Sequence, residues 1–103
     1  MINKFIEIDP ILEFWSQKYG LIVFKQYKDY EVRSISIIDD QGENYHIWID
    51  VEDEKYIINA AYNGKRYKNK SDIESFSSEL EIVYSKVDGW ILDNGNTRIL
   101  KKN

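Results

Sequence analysis

His46 is the only imidazole in the chain, so proton transfer near neutral pH, and any Ser-His-Asp chemistry with it, must run through this residue. Ser36 and Asp50 stand close enough in sequence to suggest a triad. The spacing defeats it: on an extended strand His46 and Asp50 lie about 13 Å apart, and the carboxylate cannot orient the ring. Neither Ser34 nor Ser36 sits in a Gly-rich nucleophile elbow. The chain has no cysteine, which removes thiolate nucleophiles, disulfides and the usual zinc spacings together. Seven of its 18 acidic residues gather in two groups, Asp39, Asp40 and Glu43, and Asp50, Glu52, Asp53 and Glu54. Neither has the alternating oxygen ligands of a calcium loop, so both are expected as solvated turn charge. The glycines are scattered singly and build no phosphate cradle. These residues predict no catalytic site, no bound metal and no cofactor.

Lys65-Arg66-Tyr67-Lys68-Asn69-Lys70 is the one basic stretch, and its interleaved Tyr suits stacking and phosphate contacts. Lysines on an edge strand also guard against aggregation, and that is the role expected here. With 18 Asp and Glu against 14 Lys and Arg, the net charge of −4 disfavours nucleic acid and favours a basic protein partner. The composition, rich in Ile, Asn, Lys and Tyr, is of the kind associated with AT-rich bacterial genomes and their phages. No apolar run near the start resembles a signal peptide and no segment approaches a membrane span, so a cytoplasmic protein without membrane contact is expected.

At 103 residues, 43% of them hydrophobic, residues 1–103 suit a single domain around one core. Asp9-Pro10 reads as an N-cap followed by proline at the first helical position. Ile11, Leu12, Phe14, Trp15 and Tyr19 then form an apolar stripe that stops at Gly20. From Leu21 to about Lys68 the period becomes two, which predicts a five-strand antiparallel meander. Strands over 21–27 and 30–38 turn tightly at Lys28-Asp29. Asp40-Gln41-Gly42 suits a three-residue loop, Asp53-Glu54 a tight turn, and Asn63-Gly64 a type I′ turn. Ser71-Asp72-Ile73-Glu74 is a capping-box sequence opening a second helix with Ile73, Phe76, Leu80, Val83, Tyr84 and Val87 at helical spacing, ended by Asp88-Gly89. Trp90 to Asp93, Asn94-Gly95 and Asn96 to Leu100 suggest a C-terminal β-hairpin. The fold expected is α+β, with both helices packed on one face of the sheet.

Turn by turn, the register predicts that Ile37 faces Tyr45, Ile35 faces Ile47, Ser36 faces His46, Trp48 faces Asn59 and Ala61 faces Arg66. One side of the sheet then collects Ile22, Phe24, Ile35, Ile37, Tyr45, Ile47, Ile49, Val51, Tyr56, Ile58, Ala60, Tyr62 and Tyr67, the expected core. The other collects Val23, Lys25, Ser34, Ser36, His46, Trp48, Asp50, Ile57, Asn59, Ala61, Arg66 and Lys68. A Trp among polar neighbours on an uncovered sheet face is a frequent interface anchor. The partner-binding residues expected are therefore Trp48, His46, Asp50, Asn59, Ser34 and Ser36, with Glu52, Asp53 and Glu54 at the sheet end as an electrostatic contact.

In overall plan, from the helix at Ile11 to Tyr19, through the Tyr45-His46-Ile47-Trp48-Ile49-Asp50 strand, to the Phe76 to Trp90 segment, the chain resembles small bacterial immunity proteins. These include the immunity proteins of contact-dependent inhibition systems. The resemblance implies a toxin inhibitor acting by protein–protein interaction against a basic toxin domain such as a nuclease, and no enzymatic activity of its own. A nucleic-acid-associated phage or host factor using Lys65 to Lys70, and a homodimeric structural protein, are the alternatives; the chain itself would be a monomer or a homodimer.

Overall fold

The computed structural model describes residues 5–98, which form α1 (Phe5–Tyr19), β1 (Val23–Tyr27), β2 (Tyr30–Ile38), β3 (Asn44–Glu52), β4 (Lys55–Tyr62), β5 (Lys65–Ser71) and α2 (Phe76–Asp93). The strands make one antiparallel sheet in the order β1-β2-β3-β4-β5. Both helices pack on the same face, α1 behind β1 and α2 behind β4 and β5, and their side chains merge with that face into one core. The α+β meander expected from the sequence is the fold observed.

Turn chemistry fixes the register of the last four strands. Asn63 (φ 45°) and Gly64 (φ 86°) are both left-handed, as a type I′ turn requires, and Gly42 takes φ 83° in the β2–β3 loop. The pairs Ile37–Tyr45, Ile35–Ile47, Ser36–His46, Trp48–Asn59 and Ala61–Arg66 follow. Alternation then buries Ile35, Ile37, Tyr45, Ile47, Ile49, Tyr56, Ile58 and Ala60 against the helices. Val51, expected in the core, lies near the end of β3 and is 39% exposed.

The first strand departs from expectation. Val23 pairs with Ile35 and Phe24 with Ser34, whereas Gln26 pairs with Glu31, so a β-bulge adds one residue to β2 opposite Lys25. Past the bulge the faces exchange: Val23 joins the core, while Ile22 and Phe24 are 55% and 51% exposed. Arg33 is the physical reason. Its guanidinium is buried, donates to Asp9 through Nε (2.7 Å) and Nη2 (3.0 Å), and satisfies the Lys25 and Val32 carbonyls at the bulge.

Both helices also differ in extent from the sequence expectation. α1 is helical from Phe5, with Pro10 inside it, so Asp9-Pro10 is not its start. Its early turns are held by tertiary contacts: Ile8 is fully buried, the Tyr56 hydroxyl donates to Glu7, and Asp9 binds Arg33. Ile8, Leu12 and Trp15 face the core, while Phe14, expected in the stripe, is 75% exposed. α2 begins at Phe76 rather than after a Ser71 cap, so Ile73, expected on its stripe, precedes it in a turn while still packing against the core; Ser71 closes β5, and the Asp72 carboxylate accepts the Ser75 N–H and hydroxyl instead. Gly89 does not end α2. A mid-helix glycine costs about 1 kcal/mol, less than the roughly 1.5–3 kcal/mol gained by burying Ile91 two residues later. The helix stops at Asn94-Gly95, where Gly95 has φ 73°. Trp90 to Asp93 are therefore its last turn and not a hairpin strand, and the remainder of the expected hairpin runs partly outside the described residues.

The segment after α2 returns to the β2–β3 loop. Asp39 is completely buried there: Oδ1 accepts the Gln41 and Glu43 N–H groups, and Oδ2 accepts the Tyr45 hydroxyl and Asn96 Nδ2. Burial pushes its carboxyl up, but these hydrogen bonds outweigh it and hold the acid below the usual range. Asp39 is thus a structural clasp and not the solvated turn charge expected, and burial together with Asp39 pushes the Tyr45 hydroxyl up to about 12.

Candidate functional site

The face of the sheet turned away from the helices is left uncovered among the described residues. Pairing lays its side chains in rows across the strands. Phe24, Ser34, Trp48, Asn59 and Lys68 make the central row; Ser36, His46, Ala61 and Arg66 run on one side of it, and Asp50, Ile57 and Lys70 on the other. Trp48, Ser34, Ser36 and Asn59 are half-buried, and His46 and Asp50 are exposed. These six expected partner-binding residues do share one face, because the β2–β3 loop with Gly42 left-handed and the tight Asp53-Glu54 turn hold β2, β3 and β4 in step.

One contact reaches the Trp48 ring, and another reaches its backbone. The His46 ring meets it edge-on at 5.5 Å, with the planes 73° apart. The Asn59 amide donates to the Trp48 carbonyl (3.3 Å) and to the Asp50 carboxylate (3.2 Å). Trp48 lines two hollows. One, of about 270 Å³, is lined by Trp48, Asn59, Ala60, Arg66, Tyr67 and Lys68. The other, of about 410 Å³, includes His46, Ser34, Asp50 and Val32 in its lining. A half-buried aromatic ring that lines two recesses can seat side chains of a partner.

Asp50 accepts from Asn59 rather than from the imidazole and stands two rows from Ser36 and His46, so these three residues do not form a relay. Among the described residues no group of three or more His, Asp or Glu side chains could hold a metal ion, and no helix is long and apolar enough to cross a membrane.

Glu52 ends β3, about 13 Å along the strand from Trp48, and Asp53 and Glu54 form the β3–β4 turn beyond it, all three exposed at one end of the sheet. Asp53 (φ 51°) and Glu54 (φ 63°) both take the left-handed conformation that Asn63-Gly64 adopts easily one hairpin later. Side chains other than Gly, Asn and Asp resist this conformation, so Glu54 holds backbone strain that a glycine would not.

Two contributors were not anticipated. Phe24 enters the Trp48 row only through the β-bulge, for which the sequence carries no turn or glycine signal. Lys70 adds a third cation to the open side of β5 beside Arg66 and Lys68, a consequence of the register once β5 extends to Ser71. Lys25, expected on this face, points instead to the helix side, where its charge helps lower the Asp9 carboxyl behind the dominant hydrogen bonds from Arg33. The chain matches no family model, no curated protein and no solved structure.

Proposed function

We propose that the protein binds a protein partner through the open sheet face centred on Trp48, and that it acts as an immunity protein neutralising a basic toxin domain. The observation that carries the proposal is a half-buried Trp, in ring contact with His46 and lining two hollows, in the middle of a face that nothing covers among the described residues. The strained acidic turn supports the second half. Asn-Gly is used where the sheet needs only a turn, whereas Asp53-Glu54 accepts a conformational cost to place carboxylates at the sheet end, where they would steer a basic partner. Ser34 and Ser36 would form polar floor contacts, and Asp50 with Glu52 would extend the acidic side.

The test is co-expression with a candidate basic toxin domain, scored by survival and followed by affinity measurement on purified proteins. Wild-type chain should protect. Trp48→Ala, at equal soluble level, should weaken binding by roughly thirtyfold or more, the effect of losing a central Trp anchor. Unchanged affinity would remove the face from the account.

One observation favours a second reading. Arg66, Lys68 and Lys70 lie in the same rows as His46, Trp48 and Asp50, so aromatic and cationic side chains share one open sheet, an arrangement able to stack and hold single-stranded nucleic acid. Titration with oligo(dT) and oligo(U) separates the readings: tight binding that weakens steeply with salt and is lost on replacing the three cations would displace the protein-partner proposal.

A further inference from the structure

The two edges of the sheet are built differently. β5 carries Lys65, Arg66, Lys68 and Lys70, all exposed, and α2 packs against it with Lys86 5.2 Å above the Tyr67 ring. Cations along an edge strand oppose the addition of another strand. β1 holds only Lys25, and around it Ile22, Phe24, Tyr27 and Tyr30 are 55%, 51%, 61% and 71% exposed. Among the described residues no strand pairs with its outer edge. The edge is also notched. β1 begins at Val23 opposite Ile35 while β2 runs on to Ile38, which leaves a cavity of about 250 Å³ lined by Leu21, Ile22, Phe24, Ile37, Ile38 and Arg98, among others. An unguarded edge with large apolar side chains on it is a template for strand pairing.

We infer that β1 pairs antiparallel with β1 of a second copy, joining two five-stranded sheets into one. Self-pairing across a two-fold axis sets a residue opposite its own copy, so Val23–Tyr27 offers three interior centres: Phe24, Lys25 and Gln26. Centring on Lys25 opposes two ammonium groups, which destabilises a pair. Centring on Gln26 sets Phe24 against Lys28, whose φ of 56° belongs to the hairpin turn and not to a strand. Centring on Phe24 sets ring against ring, Val23 against the stem of Lys25 and Ile22 against Gln26, with no like charges opposed. It also brings Tyr27 of each copy beside Leu21 of the other, next to the notch. Residues of equal parity face the same side, so the two Trp48 rows would lie on one continuous open surface. The inference needs only this chain and stands or falls independently of the toxin partner.

Sedimentation equilibrium on the full chain should give twice the chain mass, and Phe24→Lys should return it to the single-chain mass while Trp48→Ala leaves the dimer intact. Because the chain has no cysteine, single-thiol variants report the register directly. Mild oxidation should cross-link Phe24→Cys at least about tenfold faster than Ser78→Cys on the far helix, since a paired strand holds the two thiols at high effective concentration. Circular dichroism checks each variant's fold, and should Phe24→Lys fail to fold, the cysteine pair decides. A single-chain mass up to the solubility limit, a dimer untouched by Phe24→Lys, or equal cross-linking at both positions overturns the inference.

Discussion

Ile47 and Trp48 are neighbours in β3, yet they stand on faces with opposite demands. Toward the helices, Ile47 is fully buried and packs in one cluster with Ile35, Ile58, Leu12, Phe76 and Leu80. Away from them, Trp48 is half-buried among Ser34, Asn59 and His46, all compatible with water. Close packing specifies the first face, because a missing methylene there leaves a cavity. Compatibility with solvent specifies the second, which leaves its residues free to serve a contact. The fold should therefore depend on one set and binding on the other.

The largest effect should come from Ile47→Ala, which is expected to cost about 3–4 kcal/mol in urea unfolding through a buried cavity. A loss under about 1 kcal/mol would mean that the faces are assigned the wrong way round. Arg33 tests whether the core face tolerates charge. Removing it leaves the Asp9 carboxylate unpaired, and Arg33→Ala should cost about 2 kcal/mol, below the figure for fully buried pairs because Asp9 regains water. The same pair sets an acid limit. Hydrogen bonds from Arg33 hold the Asp9 carboxyl below its ordinary value, and four hydrogen bonds do the same for Asp39 despite its burial. A depressed folded pKa contributes stability above the unfolded value of 3.8 that is lost as pH falls through the folded one. Melting temperature should thus hold above about pH 5 and fall below about pH 4, and Arg33→Ala should flatten that fall. An equal acid slope in both proteins would exclude Asp9 as a source.

Smaller effects sharpen the contrast. Glu54→Gly should raise stability by roughly 1 kcal/mol by relieving a left-handed non-glycine, while slowing association with a basic partner at low salt. A loss of stability would show that the side chain, and not the strain, dominates that turn. The smallest change is expected from Trp48→Ala, within about 1 kcal/mol of wild type in thermal melts even as binding collapses. Unfolding by Trp48→Ala would place the ring in the core and end the comparison.

The meander from β2 to β5, its register and the residues gathered around Trp48 were legible in the sequence because their signals are local. A left-handed turn at Asn63-Gly64 or Gly42 fixes which residues pair, and strict alternation then carries the face assignment along each strand. What the tertiary structure alone decided lies where a distant contact outweighs a local preference. The Asp9–Arg33 pair draws a bulge into β2 and moves Phe24 to the open face; the core contact of Ile91 carries α2 through Gly89; the ring of donors around Asp39 turns an expected surface acid into a buried clasp. Local preferences are each worth about 1 kcal/mol or less, and burying an apolar side chain exceeds that, so the sequence is read correctly wherever the two agree and misleads where they compete.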